Sequence, residues 1–231
     1  MSLPSLAPEL ERAGTVRWLS RREPILAGPS LGEMAWGLRG WRDDFMGQVL
    51  HEQYDQRLSG AGSTLVLQPN AHGGVLRLTA GAGILFYARI MLGDRAYAFN
   101  SLDADNGWLM VGRFKISHTT SIRADMFVTD ALVNAIHIIA DTLYGANWYL
   151  KTDNNSGLDN VVDSGVPTDT GWHVHRLEVT SGRAEHWLDG QLINYTTVKI
   201  PTVVETGNVR CLANAAASRY MDLDYWETIP R

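Results

Sequence analysis

The chain has 231 residues, of which 45% are hydrophobic and 19% charged, and its formal net charge is -5. This composition supports a large core and excludes wholesale disorder, and without a basic run we expect no nucleic-acid partner. The one cysteine, Cys211, excludes an internal disulfide and is interpreted as a small buried residue. No apolar run is long enough to cross a bilayer, and residues 1–14 lack the pattern of a secretory signal. We therefore expect a soluble protein made in a cytoplasm, with no membrane partner.

Residues 1–40 differ from the remainder of the chain, because they contain four prolines and show no alternation of polar and apolar residues. Tryptophan is costly to expose to water, so free linkers seldom carry it. We interpret this segment as an N-terminal arm that lies against its own domain or a neighbouring subunit. The residues expected to form that contact are Trp18, Arg21, Arg22 and Trp36.

From residue 41 onward the pattern is that of β-structure. Short alternating runs are separated by Gly-, Asn- and Asp-rich turns, and no helical period extends beyond two turns. Many short strands at regular spacing predict an all-β, antiparallel jelly-roll sandwich over residues 41–231, with its first and last strands side by side. The candidate strands are 62–67, 74–79, 84–92, 96–100, 107–117, 121–128, 133–140, 147–151, 173–180, 184–188, 191–196, 208–214 and 221–227.

The clearest local signal is a β-hairpin over residues 171–191. Two alternating runs flank Ser-Gly at 181–182, which suits a two-residue turn. The resulting register places Arg176 opposite Trp187 as a cation–π pair, with His186 on the other, more apolar side. The "WH…V…DG" pattern of this hairpin resembles that of concanavalin-A-like and laminin-G-like jelly-roll domains.

Three histidines of this hairpin invite a metal interpretation. His173 and His175 share a strand face, and the predicted register adds His186. Three imidazoles suit zinc, but their neighbours are apolar and no cysteine or carboxylate accompanies them. We interpret them as partly buried, hydrogen-bonded histidines, and we expect no metal site and no cofactor.

A calcium loop is the other metal interpretation. Asp103 and Asp105 precede Gly107 as they would in such a loop, yet Phe114 occupies the position of the distal glutamate. A turn is favoured, with a calcium ion on the two aspartates left open as the alternative.

Catalytic motifs are absent from the sequence pattern. Jelly-roll glycoside hydrolases carry Glu-x-Asp-x-x-Glu or a close variant on one strand, and no such run occurs. The nearest carboxylate pair, Asp222 and Asp224, is interpreted as a solvated alternation in the last strand. We therefore predict no enzyme and no catalytic residue. A jelly-roll glycoside hydrolase or lyase, with carboxylates assembled in space, remains the second alternative.

Glycan binding is the first alternative function. Tyr144 and Trp148 are candidates for a stacking platform, with Asp153 and Asn155 as polar partners. The competing interpretation of Trp148 is that it alternates into the core.

Short motifs occur in a definite order along the chain: WRDDFMG at 41–47, HGGVLRLT at 72–79, TGWHVHR at 170–176 and MDLDY at 221–225. In this order they resemble concanavalin-A-like jelly-roll domains of tailed-bacteriophage virion proteins. The resemblance extends from residue 41 to the C terminus and implies a non-enzymatic capsid decoration or cement protein. It implies a virion location after assembly in the host cytoplasm. Its implied partners are the major capsid protein, reached through the arm, and sister subunits of a homotrimer. A lectin-like tail-fibre module is the glycan-binding form of this expectation.

Overall fold

The computed structural model describes residues 41–45, 50, 54–68, 74–92, 107–129, 134–180, 182–201 and 206–230. The predicted arm contacts Trp18, Arg21, Arg22 and Trp36, the strand at 96–100 and the calcium candidates Asp103 and Asp105 lie outside these residues. The strands within them are β1 (Trp41–Asp43), β2 (Tyr54–Ser59), β3 (Thr64–Leu67), β4 (Leu76–Ala80), β5 (Tyr87–Leu92), β6 (Trp108–Ile116), β7 (Ile122–Thr129), β8 (Ala135–Asp141), β9 (Asn147–Asp153), β10 (Asn160–Pro167), β11 (His173–Thr180), β12 (Arg183–Leu188), β13 (Gln191–Thr196), β14 (Thr206–Ala213) and β15 (Arg219–Pro230).

The strands form two antiparallel sheets that pack as a sandwich. Sheet A has the order β13-β12-β11-β6-β15-β4-β3, with β1 also paired to β15, and sheet B has the order β10-β9-β8-β7-β14-β5-β2. The chain passes repeatedly between the sheets, as from β6 to β7, which is the connectivity of a jelly roll. The predicted all-β jelly-roll class is confirmed. The predicted closure is confirmed as well, because Trp41 pairs with Thr228 across β1 and β15.

The core lies between the sheets and is rich in large aromatic side chains. Strict alternation along β6 turns Trp108 and Phe114 inward, and Trp148 of β9 and Trp226 of β15 are equally buried. Phe114 meets Trp148 edge-on, with 5.9 Å between ring centroids. Such tilted aromatic contacts add specific geometry to the free energy gained from burial. Cys211 is buried among apolar neighbours, as predicted, and burial raises the pKa of its thiol to about 12.

The hairpin of β11 and β12 has the predicted register. Arg176 pairs with Trp187, and the Arg176 guanidinium carbon lies 5.3 Å from the centre of the Trp187 ring. His186 pairs with Leu177 on the core side. The next turn, which connects β12 to β13, is formed by Asp189 and Gly190, whose φ angles of 49° and 84° suit a type I′ turn.

The sequence patterns missed three strands: β1, β2 and β10. The first has only three residues, and β2 reads YDQRLS, with too few apolar positions to show alternation. In β10 the pairing with β9 shifts between Asp163 and Pro167, around Gly165 at a φ of 69°. A bulge of this kind interrupts the period of two on which recognition of a strand depends.

Two glycines with the same backbone angle allow steric overlap to be separated from backbone strain. Gly74 and Gly182 both have a φ of 71°. A Cβ on Gly74 would overlap the carbonyl oxygen of Phe45, whereas no described atom lies within 4 Å of that position on Gly182. We expect Gly182→Ala to lower the free energy of unfolding by about 1 kcal/mol and Gly74→Ala by about 2–4 kcal/mol. Urea unfolding measures both, and equal losses would contradict the steric argument.

Candidate functional site

The structure does not assemble the predicted glycan platform as one site. Trp148 is 1% exposed and belongs to the core, so its proposed stacking role is wrong. Tyr144 is 42% exposed and precedes β9, whereas Asp153 ends that strand, on the order of 20 Å away at about 3.3 Å per residue. Asp153 and Asn155 instead form a turn, in which the Asn155 amide donates to Asp153 Oδ1 at 2.8 Å. Of the predicted set, Tyr144 alone stays a candidate for stacking.

The three hairpin histidines have two different environments. His175 and His186 are fully buried in the core, with His175 Nδ1 and His186 Nε2 3.2 Å apart. Burial lowers the pKa of His186 to about 3 and holds that of His175 well below its ordinary value. His173 lies at the edge between Asp169 and Asp189, at 2.9 and 2.7 Å, which corrects the expectation that no carboxylate accompanies it. Within the described part of the chain, no group of three or more metal-binding side chains is suited to hold a metal ion.

The two aspartates of β15 are not solvated, contrary to the prediction. Asp222 and Asp224 are 2% and 6% exposed. Arg77 donates to Asp222 from Nε and Nη2 at 2.6 and 2.8 Å, and Lys115 lies 3.6 Å from the same carboxylate. Arg113 donates to Asp224 at 2.6 Å. Cations from the neighbouring strands therefore cover both groups, on the side of sheet A turned away from the core.

The best-assembled group of polar side chains lies on sheet B, on the side turned away from the core, which we call the outer face of sheet B. Alternation along β7 sends Ala124 and Met126 into the core and directs Arg123, Asp125 and Phe127 outward. The neighbouring strands add Arg210 opposite Asp125, His137 opposite Phe127 and Asp141 opposite Arg123. We call Arg123, Asp125, His137, Asp141 and Arg210 the Asp125 cluster.

Asp125 is the centre of this cluster and has no solvent exposure. Arg210 Nε donates to its Oδ1 at 3.0 Å and Arg210 Nη2 donates to its Oδ2, which gives a two-pronged ion pair. Arg123 Nε donates to the same Oδ2 at 3.2 Å. Burial alone would raise the pKa of Asp125, but Arg210, Arg123 and the contact with His137 hold it well below its usual range. Asp125 is therefore a fixed anion.

The second carboxylate of the cluster, Asp141, lies on the adjacent strand. Its Oδ1 accepts hydrogen bonds from the Leu143 amide at 3.0 Å and from Asn214 Nδ2 at 3.1 Å. Its Oδ2 lies 3.7 Å from Arg123 Nε, the same atom that donates to Asp125. Two carboxylates from different strands thus share one guanidinium group.

His137 completes the cluster as a neutral group at pH 7. Burial lowers its pKa to about 4, although the neighbouring Asp125 acts in the opposite direction. Its Nδ1 lies 3.3 Å from Asp125 Oδ2 without good hydrogen-bond alignment, and its ring stacks on Phe127 with 4.5 Å between centroids. An imidazole held neutral in this way contributes packing and polarity to the face without adding charge.

Aromatic and polar groups lie at one end of the same face. Tyr149 of β9 is on the outer side, paired with Ile139, and its ring centroid is 5.6 Å from that of the exposed Tyr144. Asn147 Nδ2 donates to both oxygens of Asp163, at 2.9 and 3.1 Å. An aromatic pair beside an amide and a carboxylate is chemically suited to a sugar, which offers an apolar ring face and hydroxyl groups.

No family model and no curated protein matches the chain. Solved structures do match. A prokaryotic β-1,3-1,4-glucanase (lichenase) from a mouse hindgut metagenome is 12% identical with a TM-score of 0.60, and the match covers 83% of this chain and 99% of that one. A glycosyl hydrolase family 16 protein from Mycobacterium smegmatis is 12% identical at a TM-score of 0.59, covering 81% and 98% of the two chains.

A third structure has a different kind of function. It comes from a study of botulinum neurotoxin type C, whose cell entry depends on interaction with two ganglioside molecules. It is 11% identical with a TM-score of 0.54, and the match covers 77% of this chain and 43% of that one. At such identities the shared property is the fold. The chain is thus an antiparallel jelly-roll sandwich of the concanavalin-A-like kind.

These neighbours correct the predicted function. The prediction of a non-enzymatic bacteriophage virion protein is wrong, because several similar structures are glycoside hydrolases and none of those named above is a virion protein. The same neighbours contradict the prediction that the chain is not an enzyme, although the property that they share with it at these identities is the fold alone. The interpretation that gains support is the second alternative, a jelly-roll glycoside hydrolase.

Proposed function

We propose that this chain acts on carbohydrate, as a glycoside hydrolase or transglycosylase that binds a glycan along the outer face of sheet B. The observation that carries the proposal is the placement of two buried carboxylates on that face, Asp125 in the middle of β7 and Asp141 at the end of β8. The similarity to a lichenase and to a family 16 glycosyl hydrolase supports the same chemistry.

Cleavage of a glycosidic bond normally uses two carboxyl groups, and its transition state carries positive charge on the sugar. Both carboxylates approach the same guanidinium nitrogen, at 3.2 and 3.7 Å from Arg123 Nε. Asp125 is suited to stabilise positive charge and not to donate a proton, because its ion pairs keep it ionised. Asp141 is the second carboxyl group within the cluster and is assigned the proton-transfer role.

The substrate meets arginine and tyrosine side chains before it meets these carboxylates. Arg123 and Arg210 retain 21% and 18% of their side-chain exposure, whereas Asp125 has none. Tyr144 is the most exposed of the aromatic groups described on this face and lies against Tyr149. We therefore assign glycan stacking to Tyr144, and we infer that Arg123 moves when substrate reaches Asp141.

Tyr144→Ala is expected to weaken retention of a bound polysaccharide about five- to ten-fold, since an aromatic contact is worth about 1–1.5 kcal/mol. Affinity electrophoresis in gels containing mixed-linkage β-glucan, laminarin or xyloglucan measures retention, and release of reducing ends from the same polymers measures turnover. Tyr195→Ala is the matched control, because Tyr195 is 53% exposed and lies on β13 of sheet A.

The same assays separate binding from chemistry. Asp141→Asn is expected to lower the release of reducing ends at least about a hundred-fold, the scale of a lost acid–base group, while the variant stays folded. Absence of both retention and release on every polymer would contradict the proposal. An equal loss of retention in the Tyr144 and Tyr195 variants would show that the glycan does not lie on sheet B.

A further inference from the structure

Three arginines lie side by side on the outer face of sheet B. Arg57 of β2 is the cross-strand partner of Arg89 of β5, and Arg89 is in turn the partner of Arg210 of β14. Like charges directly opposite each other in a sheet are destabilising. A row of three cations therefore requires anions nearby to offset the repulsion.

The two flanking arginines have carboxylate partners, but the central one does not. Arg57 Nε lies 2.8 Å from Asp55, and Arg210 forms its ion pair with Asp125. Among the residues that the structure describes, no carboxylate lies within ion-pair distance of Arg89. Arg89 Nε and Nη2 donate instead to the neutral Oδ1 of Asn208, at 2.9 and 2.6 Å.

The surroundings of Arg89 make its positive charge, which has no carboxylate partner among the described residues, still less favourable. The side chain is partly buried, and its guanidinium carbon lies 5.1 Å from the centre of the Phe127 ring. The guanidinium carbon of Arg210 lies 5.1 Å from the centre of the same ring, so two cations lie close to one aromatic ring. Burial and the charges of Arg210 and Arg57 lower the pKa of Arg89 to about 10. A bound anion would offset the repulsion from Arg210 and Arg57 and would stabilise the charged form of Arg89.

We propose that Arg89, flanked by Arg57 and Arg210, binds the acidic group of an anionic polysaccharide, a carboxylate or sulfate on the sugar. Asn208 occupies the Nε–Nη2 edge of the Arg89 guanidinium group, so the Nη1–Nη2 edge is the part of this rigid fork that can meet two oxygens of a planar carboxylate or a tetrahedral sulfate. The inference rests on the proposed function and names its substrate class.

The distance between the arginines and the tyrosines suits a bound polymer and is too long for a single sugar. The cross-strand register continues from Arg89 through Arg210, Asp125 and Ile139 to Tyr149. That path spans four strand spacings, on the order of 19 Å at about 4.8 Å each. A glycan that stacks on Tyr144, beside Tyr149, and reaches Arg89 therefore lies across the Asp125 cluster.

The test compares two polymers with the same β-1,4-glucan backbone, carboxymethylcellulose and hydroxyethylcellulose, by affinity electrophoresis at low ionic strength. The wild-type chain is expected to be retained at least ten-fold more strongly by the acidic polymer, and about 0.5 M NaCl should reduce this preference. Arg89→Gln is expected to abolish the preference, and Arg89→Lys, which keeps the charge but loses the fork, to reduce it. The matched control is Arg183→Gln, because Arg183 is 39% exposed and pairs with Glu185 on sheet A.

Different results would overturn the proposed substrate class and the proposed function. Retention of both polymers without preference for the acidic one overturns the substrate class and leaves the proposed function standing. Absence of retention and turnover on either polymer, and on the neutral glucans above, overturns the proposed function itself. Polyacrylate has carboxylates and no sugar. If it displaces the chain from carboxymethylcellulose as well as soluble carboxymethylcellulose does, the assignment of a glycan is overturned. An equal loss of preference in the Arg89 and Arg183 variants overturns it as well.

Discussion

Asp125→Asn is expected to lower the free energy of unfolding by about 3–5 kcal/mol, the scale found when one partner of a buried ion pair is removed. The substitution keeps the size of the side chain but removes the anion on which Arg210 and Arg123 converge. Arg210 then stays in a partly buried environment without its ion pair, and Arg123 keeps only Asp141, whose Oδ2 lies 3.7 Å from Arg123 Nε. Urea unfolding at pH 7.5 measures the loss.

Two further variants test the cause of that loss. Asp55→Asn removes a carboxylate from the exposed pair with Arg57, whose side chain is 53% exposed, and should cost less than about 1 kcal/mol. Arg210→Gln combined with Asp125→Asn should lose less than the sum of the two single variants, because the double variant no longer leaves the charge of Arg210 without the carboxylate of Asp125. Additive losses would show that Asp125 and Arg210 do not stabilise each other.

The hairpin of β11 and β12 shows what the sequence is sufficient to predict. Local turn chemistry and a period of two determine which residues face each other, so the pairing of Arg176 with Trp187 followed from the sequence. The class of the fold followed for the same reason, since it depends on many such local signals. The burial of Trp148, the alternative to its stacking role, agrees with its spacing of two from Leu150 along β9, since both side chains lie in the core.

The Asp125 cluster could not be predicted in this way. Asp125 and Arg210 are 85 residues apart, and the order of strands in sheet B brings them together. One local signal was present: Arg123 and Asp125 are two apart in the otherwise apolar strand IRADMFVT. Charges on one face of a strand indicate a polar face of the sheet, yet they do not identify the neighbouring strands that supply partners.

The environment of Asp222 also could not be predicted from the sequence alone. Its alternation with Met221 and Leu223 was correctly recognised, but alternation distinguishes only the two faces of a sheet. Whether the outward face is solvated depends on Arg77 and Lys115, which adjacent strands provide. The sequence pattern thus predicts which face of the sheet a side chain is on, and the neighbouring strands determine how much of that side chain is exposed to solvent.

The free energy of unfolding is expected to fall steeply below about pH 6.5, because three of the histidines that the structure describes, His137, His175 and His186, are buried in the neutral form. Burial lowers the pKa of His137 to about 4 and that of His186 to about 3, and holds that of His175 well below its ordinary value. Between these values and about 6.5, the unfolded chain binds more protons than the folded one, so stability rises with pH. Each histidine contributes about 1.4 kcal/mol per pH unit, and the three together about 4 kcal/mol per pH unit.

His173 does not counteract this loss, because its effect lies in another range of pH. Its contacts with Asp169 and Asp189 raise the pKa of His173 against the effect of burial. A raised pKa adds stability that is complete below about pH 6.5 and is lost as pH rises through the folded value. The acid limb below pH 6.5 therefore reports the three buried histidines, until the carboxylates begin to protonate near pH 4.

Urea unfolding at pH 7.5, 6.5, 5.5 and 5.0 follows the acid limb. His186→Gln is expected to remove about a third of the slope, whatever its effect on stability at pH 7.5, because one of three equal proton-linked contributions is gone. His118→Gln, at an exposed histidine, should leave the slope unchanged. If the slope is the same in the wild-type chain and in the His186 variant, acid sensitivity arises elsewhere and the buried histidines are not its cause.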